Sequence, residues 1–131
     1  MSNTVAVTGA AGFIGRWVTA ELLDRGYAVY GLDDFSNGSR QNIEEFKGND
    51  GFQITRGDVC RERDIEELFA HDPDACIHLA AEIDVQESLE DPQAHFESNL
   101  VGTQNVLEAC RRNETRLWLV GTCMVYDMVD S

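Results

Sequence analysis

Short apolar runs alternate with longer segments of helical period along the whole chain, and this alternation limits the fold more than any other feature. Val5-Ala6-Val7-Thr8 is short, β-branched and closed by Gly9, as expected of a strand buried on both faces. Over residues 13–25, Ile14, Trp17, Val18 and Leu22 recur on one helical face, and Gly26 supplies the stop. Residues 27–32 form a second apolar run, 36–38 a loop, 40–46 a weak helix and 52–55 a short third strand. Residues 61–70 predict a helix with Ile65, Leu68 and Phe69 on one face, and 75–79 a fourth strand. Asp91 can cap the next helix, with Pro92 at its first position. Phe96, Leu100, Leu107 and Cys110 share its apolar face, and Arg111 and Arg112 oppose the negative end of its dipole. Residues 117–120 complete five strands. Strands that alternate with helices build a parallel sheet covered on both faces, a doubly wound α/β fold.

The densest motif is Thr8-Gly9-Ala10-Ala11-Gly12-Phe13-Ile14-Gly15, which follows the first strand and opens the first helix. Gly9 permits the tight turn, Gly12 lets the backbone approach a pyrophosphate, and Gly15 lets the helix pack on the sheet. The helix N-terminus adds free N–H groups and the positive end of its dipole. An acidic pair, Asp33-Asp34, ends the second strand 18 residues past Gly15. A carboxylate there accepts both adenosine ribose hydroxyls and repels a 2′-phosphate, which favours NAD over NADP. Asp33 fits that role better than Asp34, whose position also suits a solvated loop acid. Arg40 opposes that preference for NAD, since a nearby Arg can accommodate a phosphate. The expected architecture is thus a Rossmann-like dinucleotide-binding domain over residues 1–131. The long segment from Ala80 to Glu90 follows the fourth strand, where such sheets bind ligands.

Charge narrows the partners. Ten basic and 24 acidic residues leave a net charge of −14. Nucleic acid and anionic membranes repel such a surface, so neither is an expected partner. Nine of the ten basic residues are Arg and only Lys47 is Lys. That balance suits either a protein of high-salt surroundings, where screening removes self-repulsion, or an ordinary acidic protein. The N-terminus lacks a basic region followed by an apolar stretch, and no run reaches membrane-spanning length. A cytoplasmic location is expected. Cys60, Cys76, Cys110 and Cys123 include no C-x-x-C pair and sit in or beside apolar segments, so packing is expected rather than a metal. Cys76 and His78 fall on one side of the fourth strand, with the same expectation.

These residues carry a resemblance. The glycine spacing with Phe13-Ile14 inside it is similar to that of the extended short-chain dehydrogenase/reductase family. Leu32-Asp33-Asp34-Phe35-Ser36-Asn37-Gly38, Gly57-Asp58-Val59, His78-Leu79-Ala80-Ala81, Val85-x-x-Ser88, Asp91-Pro92 and Asn99-x-x-Gly102-Thr103 resemble its NAD-dependent nucleotide-sugar epimerase and dehydratase branch. The resemblance spans Thr4 to about Asp127. It implies that Gly9, Gly12, Phe13, Ile14, Gly15, Asp33, Asp34, Ser36, Asn37 and Gly38 surround the cofactor. It implies that Asp58 and Val59 meet the adenine, and that Leu79, Ala80 and Ala81 lie along ribose and phosphates. Ile83 falls on the substrate-side loop of residues 83–88. Asn99 is implied to hold the neighbouring strand or a proton-relay water. Thr122 matches the catalytic Ser/Thr that hydrogen-bonds the sugar hydroxyl being oxidised.

Three departures bear on the chemistry. Where dehydratases of the branch carry an acid pair after the Thr, this chain has Cys123 and Met124. That disfavours dehydration and leaves epimerase, decarboxylase or dehydrogenase chemistry. The family's Val-Tyr-Gly reads Val125-Tyr126-Asp127 here. Its Tyr-x-x-x-Lys pair, in which the lysine lowers the tyrosine pKa and holds the ribose, does not occur. The tyrosines are Tyr27, Tyr30 and Tyr126, and Gly31, Asp34 and Asp130 stand four residues on. In the family that pair lies further along, together with later strands and a substrate lobe, so an N-terminal portion of a longer fold is expected. Function could be that of the cofactor half of an epimerase, a non-catalytic NAD-binding module, or an assembly driven by uncovered apolar faces. A homo-oligomer is expected in the first case.

Overall fold

A computed structural model describes residues 3–81 and 89–121, apart from the side chain of Ser98. Five strands form one parallel sheet: β1 (Thr4–Thr8), β2 (Ala28–Asp33), β3 (Phe52–Arg56), β4 (Ala75–His78) and β5 (Arg116–Leu119). Their order across the sheet is β3-β2-β1-β4-β5. The chain therefore leaves β1 in one direction for two strands and then crosses back, which creates a switch point between β1 and β4. β1 is buried along its whole length because it has neighbours on both sides and helices above and below.

Alternate residues of the strands feed two cores. Ala6, Leu32 and Cys76 pack against α3 (Glu62–Phe69) and α5 (Gly102–Asn113) through Ile65, Leu68, Phe69, Val106, Ala109 and Cys110. Val5, Val7 and Val29 face α1 (Phe13–Asp24) through Leu22 and Leu23. The short α2 (Arg40–Ile43), capped by Ser39, continues as a 3-10 turn over Glu44–Phe46 and buries Ile43 and Phe46. The five parallel strands with flanking helices are those expected from the alternation, with strand ends displaced by about one residue.

Two helix faces are not those expected. On α1 the buried residues are Gly15 and Thr19, while Ile14 and Trp17 are 55% and 58% exposed. Gly15 sits so close to the glycine loop that a Cβ would lie 2.1 Å from the Gly9 carbonyl oxygen. Ile14 and Trp17 stand beside that contact and border a groove with Val5, Ile77 and Trp118 of the sheet. The second case is the segment after Asp91, where α4 (Pro92–Phe96) runs into a π-helical turn over Glu97–Val101 before α5 begins. Phe96, Leu100 and Leu107 stand half exposed, while Gly102, Val106, Ala109 and Cys110 of α5 face the sheet.

Ile14 and Trp17 of α1, together with Trp118 of β5, border an open groove over the outer half of the sheet. Among the described residues no helix is long and apolar enough to cross a membrane.

Candidate functional site

The C-terminal ends of β1, β2 and β4 open into a cleft of about 440 Å³. Its floor is the turn from Gly9 to Gly15. Gly9 has φ +74°, and a Cβ there would come within 2.8 Å of the Ala80 nitrogen and 2.9 Å of the Leu79 carbonyl carbon. Only glycine lets β1 turn while touching the segment after β4. Gly12 is the N-cap residue of α1, in extended conformation, with no side-chain cap on the helix. The helix therefore presents uncapped N–H groups to the cleft. A Cβ at Gly12 would meet only the Gly9 carbonyl oxygen, at 3.3 Å.

Asp33 ends β2 at one side of the cleft and is 8% exposed. The Ala11 N–H donates to its Oδ2 at 2.9 Å and the Phe35 N–H to its Oδ1 at 2.8 Å. Burial pushes its carboxyl above the usual range, and the Phe35 and Ala11 N–H donors oppose that shift. Each oxygen keeps a lone pair for a further donor. The Phe35 N–H bond goes with a left-handed backbone at that residue, φ +62°. Gly38 completes the corner, since a Cβ there would press on Asp33 Oδ2 at 2.8 Å. Asp34 instead caps its own loop, accepting from the Ser36 N–H and hydroxyl. Arg40 stacks its guanidinium 4.8 Å above the Phe35 ring.

Fourteen of the residues proposed from sequence line this one cleft: Gly9, Gly12, Phe13, Ile14, Gly15, Asp33, Asp34, Ser36, Asn37, Gly38, Val59, Leu79, Ala80 and Ala81. Asp58 is not among its lining residues. Its carboxylate accepts the Cys60 N–H at 2.8 Å and so shapes the loop that presents Val59. Asn99 lies in the π-helical turn, away from the cleft lining. Ile83 and Thr122, with Cys123 and Met124, lie outside the described residues. Leu32, Asn42, Gly57 and Val120 also line the cleft and were not proposed. Asn42 donates its Nδ2–H to the Ala11 carbonyl at 2.8 Å and pins the glycine loop from α2. No local sequence pattern marks that contact, which spans 31 residues. Cys76 and Cys110 are buried neighbours in one core, as packing predicts.

Behind the cleft, His78 is buried between two threonines. Its Nδ1 is 2.6 Å from Thr8 Oγ1 and its Nε2 is 3.1 Å from Thr103 Oγ1. Burial pushes the imidazole down to a pKa of about 4 from an ordinary 6.5. Between those values the unfolded chain binds the proton and the folded chain does not, so stability falls as pH drops from 6.5 towards 4, by about 3 kcal/mol from this group. Following the His78 ring resonances by NMR through that range checks this; a midpoint near 6.5 would contradict it.

The sequence from residue 5 to residue 131 matches the family model described as NAD dependent epimerase/dehydratase family. The chain belongs to that family. A UDP-glucose 4-epimerase of Mycolicibacterium smegmatis is 41% identical over 106 residues, covering 80% of this chain and 34% of the relative. The structure of Pal from Bacillus thuringiensis superposes with a TM-score of 0.93 at 39% identity, over 98% of this chain and 42% of that one. A Thermus thermophilus UDP-glucose 4-epimerase in complex with NAD superposes with a TM-score of 0.78, also at 39% identity, over 87% and 36%. This epimerase/dehydratase family chain thus spans about a third to two fifths of the length of these relatives. The residues of the cleft fit the family's NAD: a loop that tolerates no Cβ at Gly9, a helix start without a side-chain cap, and a buried carboxylate with lone pairs to spare.

Proposed function

We propose that the chain binds NAD in this cleft and serves a nucleotide-sugar epimerase, or a related dehydrogenase or decarboxylase, as its cofactor half. The observation that carries the reading is the placement of Asp33 beside the Gly9–Gly15 turn, its Oδ2 accepting the Ala11 N–H at 2.9 Å, with Ala80 and Ala81 as a further wall of the cleft. The helix start takes the pyrophosphate, and Asp33 accepts the adenosine ribose hydroxyls while its charge turns a 2′-phosphate away. Small side chains at Ala80 and Ala81 leave room for the cofactor along the end of β4. Bound NAD supplies a hydride acceptor for a sugar hydroxyl. Thr122 holds that hydroxyl by a hydrogen bond. Cys123 and Met124 offer no acid–base pair for eliminating water, which favours epimerisation over dehydration.

Calorimetric titration tests the reading. The 131-residue chain is expected to bind NAD and to prefer it over NADP. Asp33→Ala should weaken NAD by about tenfold to a hundredfold, as expected when a charge-assisted hydrogen-bond acceptor is lost, and narrow the preference. NADP binding the wild type more tightly than NAD would overturn the role given to Asp33. Because the sequence holds no Tyr-x-x-x-Lys pair, no turnover of a nucleotide sugar is expected from this chain alone. Binding without turnover also describes a non-catalytic NAD-binding module; addition of a polypeptide carrying the Tyr-x-x-x-Lys pair separates the two, since only the epimerase reading expects activity to appear.

A further inference from the structure

We infer that His78 is a positioning residue: held in one neutral tautomer between Thr8 and Thr103, it fixes the strand end that faces the cofactor cleft against the π-helical turn that carries Asn99. The inference rests on the reading of the cleft as an NAD site.

Donor and acceptor counting sets the tautomer. Thr8 Oγ1 accepts the Ala80 N–H at 3.2 Å and, at 3.1 Å, shares the Leu79 N–H with the Thr8 carbonyl, which takes it at 3.0 Å. The Thr103 hydroxyl gives its proton to the Asn99 carbonyl at 2.7 Å, so its oxygen must accept from His78 Nε2, and Nδ1 is left to accept the Thr8 hydroxyl proton. Nδ1 is therefore unprotonated, and the ring proton sits on Nε2, where it donates to Thr103 Oγ1. The result is a one-way chain of hydrogen bonds from the Leu79 and Ala80 amides, through Thr8, His78 and Thr103, to the π-helical turn. Every donor finds an acceptor in that direction, and protonating His78 would set two donors face to face at Nδ1.

The position of the chain gives it a task. Leu79 and Ala80 line the cleft, and Ala80 also limits the space at Gly9. The Asn99 carbonyl belongs to a turn whose extra residue interrupts the regular helix. π-Helical turns are weakly held by their own backbone and often occur at functional sites. This one is tied at its other end by the Cys60 thiol, which donates to the Glu97 carbonyl at 3.0 Å. Beside it, Asn105 Nδ2 donates to the Val59 carbonyl at 3.0 Å. The turn is thus pinned to the two loops that wall the cleft, and His78 is the pin on the β4 side.

The test uses the ring nitrogens and NAD together. In ¹⁵N-labelled wild type at neutral pH, His78 should show an unprotonated Nδ1 and a protonated Nε2. A ring protonated on Nδ1, or exchanging between tautomers, would overturn the inference. Thr103→Val removes the Nε2 partner together with its bond to the Asn99 carbonyl and leaves the Thr8 arm in place; it should release the tautomer and weaken NAD about fivefold, the scale of one hydrogen bond. Thr103→Ser, which keeps the hydroxyl, should restore both. If the valine variant fails to fold, Thr103→Ala makes the same deletion in a smaller side chain. A released tautomer with NAD affinity unchanged would mean that the bonds only stabilise the fold, and would overturn the positioning role while leaving the NAD site intact. Wild type with the expected tautomer and no affinity for NAD would instead overturn the reading of the cleft, and the positioning role with it.

Discussion

Gly15→Ala is expected to cost the chain about 3 kcal/mol or more, enough to lower its melting temperature by roughly 12 °C. The added Cβ would sit 2.1 Å from the Gly9 carbonyl oxygen and 2.8 Å from the Ala10 Cα and carbonyl carbon. All of these are backbone atoms, so no side chain can swing aside. Either the glycine turn must open or the first turn of α1 must lift from the sheet. Lifting would also disturb Thr19 one turn along, which is fully buried. Since a domain of this size is stable by only about 5–15 kcal/mol, such a loss is a large share of the total. Thermal melts followed by circular dichroism measure it. A melting temperature within a degree or two of wild type would show that α1 does not dock through Gly15. Alanine normally favours a helix over glycine by about 1 kcal/mol, so a destabilised alanine variant here isolates the steric term.

Gly12→Val should have the opposite profile, a folded chain that has lost NAD. Gly12 has φ −79° and ψ 177°, an extended conformation that suits a β-branched residue. Its Cβ would meet only the Gly9 carbonyl oxygen at 3.3 Å, a contact that a few tenths of an ångström relieve. The two valine methyl groups would then occupy the cleft in front of the α1 N-terminus, where the pyrophosphate is proposed to lie. Several hydrogen bonds to a charged group, each worth about 1.5–3 kcal/mol, would be blocked together, so the NAD dissociation constant should rise by at least about a hundredfold. Calorimetry gives the affinity and circular dichroism shows whether the fold is kept. Undiminished NAD binding by a folded Gly12→Val would place the pyrophosphate elsewhere. The two glycines stand three residues apart in one turn, yet one serves the fold and the other the ligand. The distance from each missing Cβ to the nearest backbone makes the difference.

Much of this molecule is legible without coordinates. Strand runs such as Val5-Ala6-Val7 carry their burial on both faces in their composition, because a central parallel strand has no polar side to show. The turn at Gly9 and the acid at Asp33 are local devices, so their spacing along the chain already brings them to one end of the sheet. Asp91 and Pro92 mark a helix start, and Asp91 does accept the Ala94 N–H at 3.2 Å. In each case the cause lies within a few residues.

What periodicity could not convey is which face of a helix the sheet would accept. Ile14 and Trp17 form a good apolar stripe, but they border an open groove over β4 and β5 and stand more than half exposed. Phe96, Leu100 and Leu107 recur at helical spacing, but the face the sheet accepts is that of Gly102, Val106, Ala109 and Cys110. The polar contacts behind the cleft were equally hidden. Thr8 and His78 are 70 residues apart, and Asn42 and Ala11 are 31 apart. Short-range spacing and burial in the sequence therefore determined the strands, the helices between them, the glycine turn and the acid at the end of β2, while the resemblance implied the other cleft residues. The tertiary structure alone decided which helix faces are buried, how the glycine loop is pinned, and that His78 joins the cleft wall to the π-helical turn, because each depends on groups that meet only when distant segments pack.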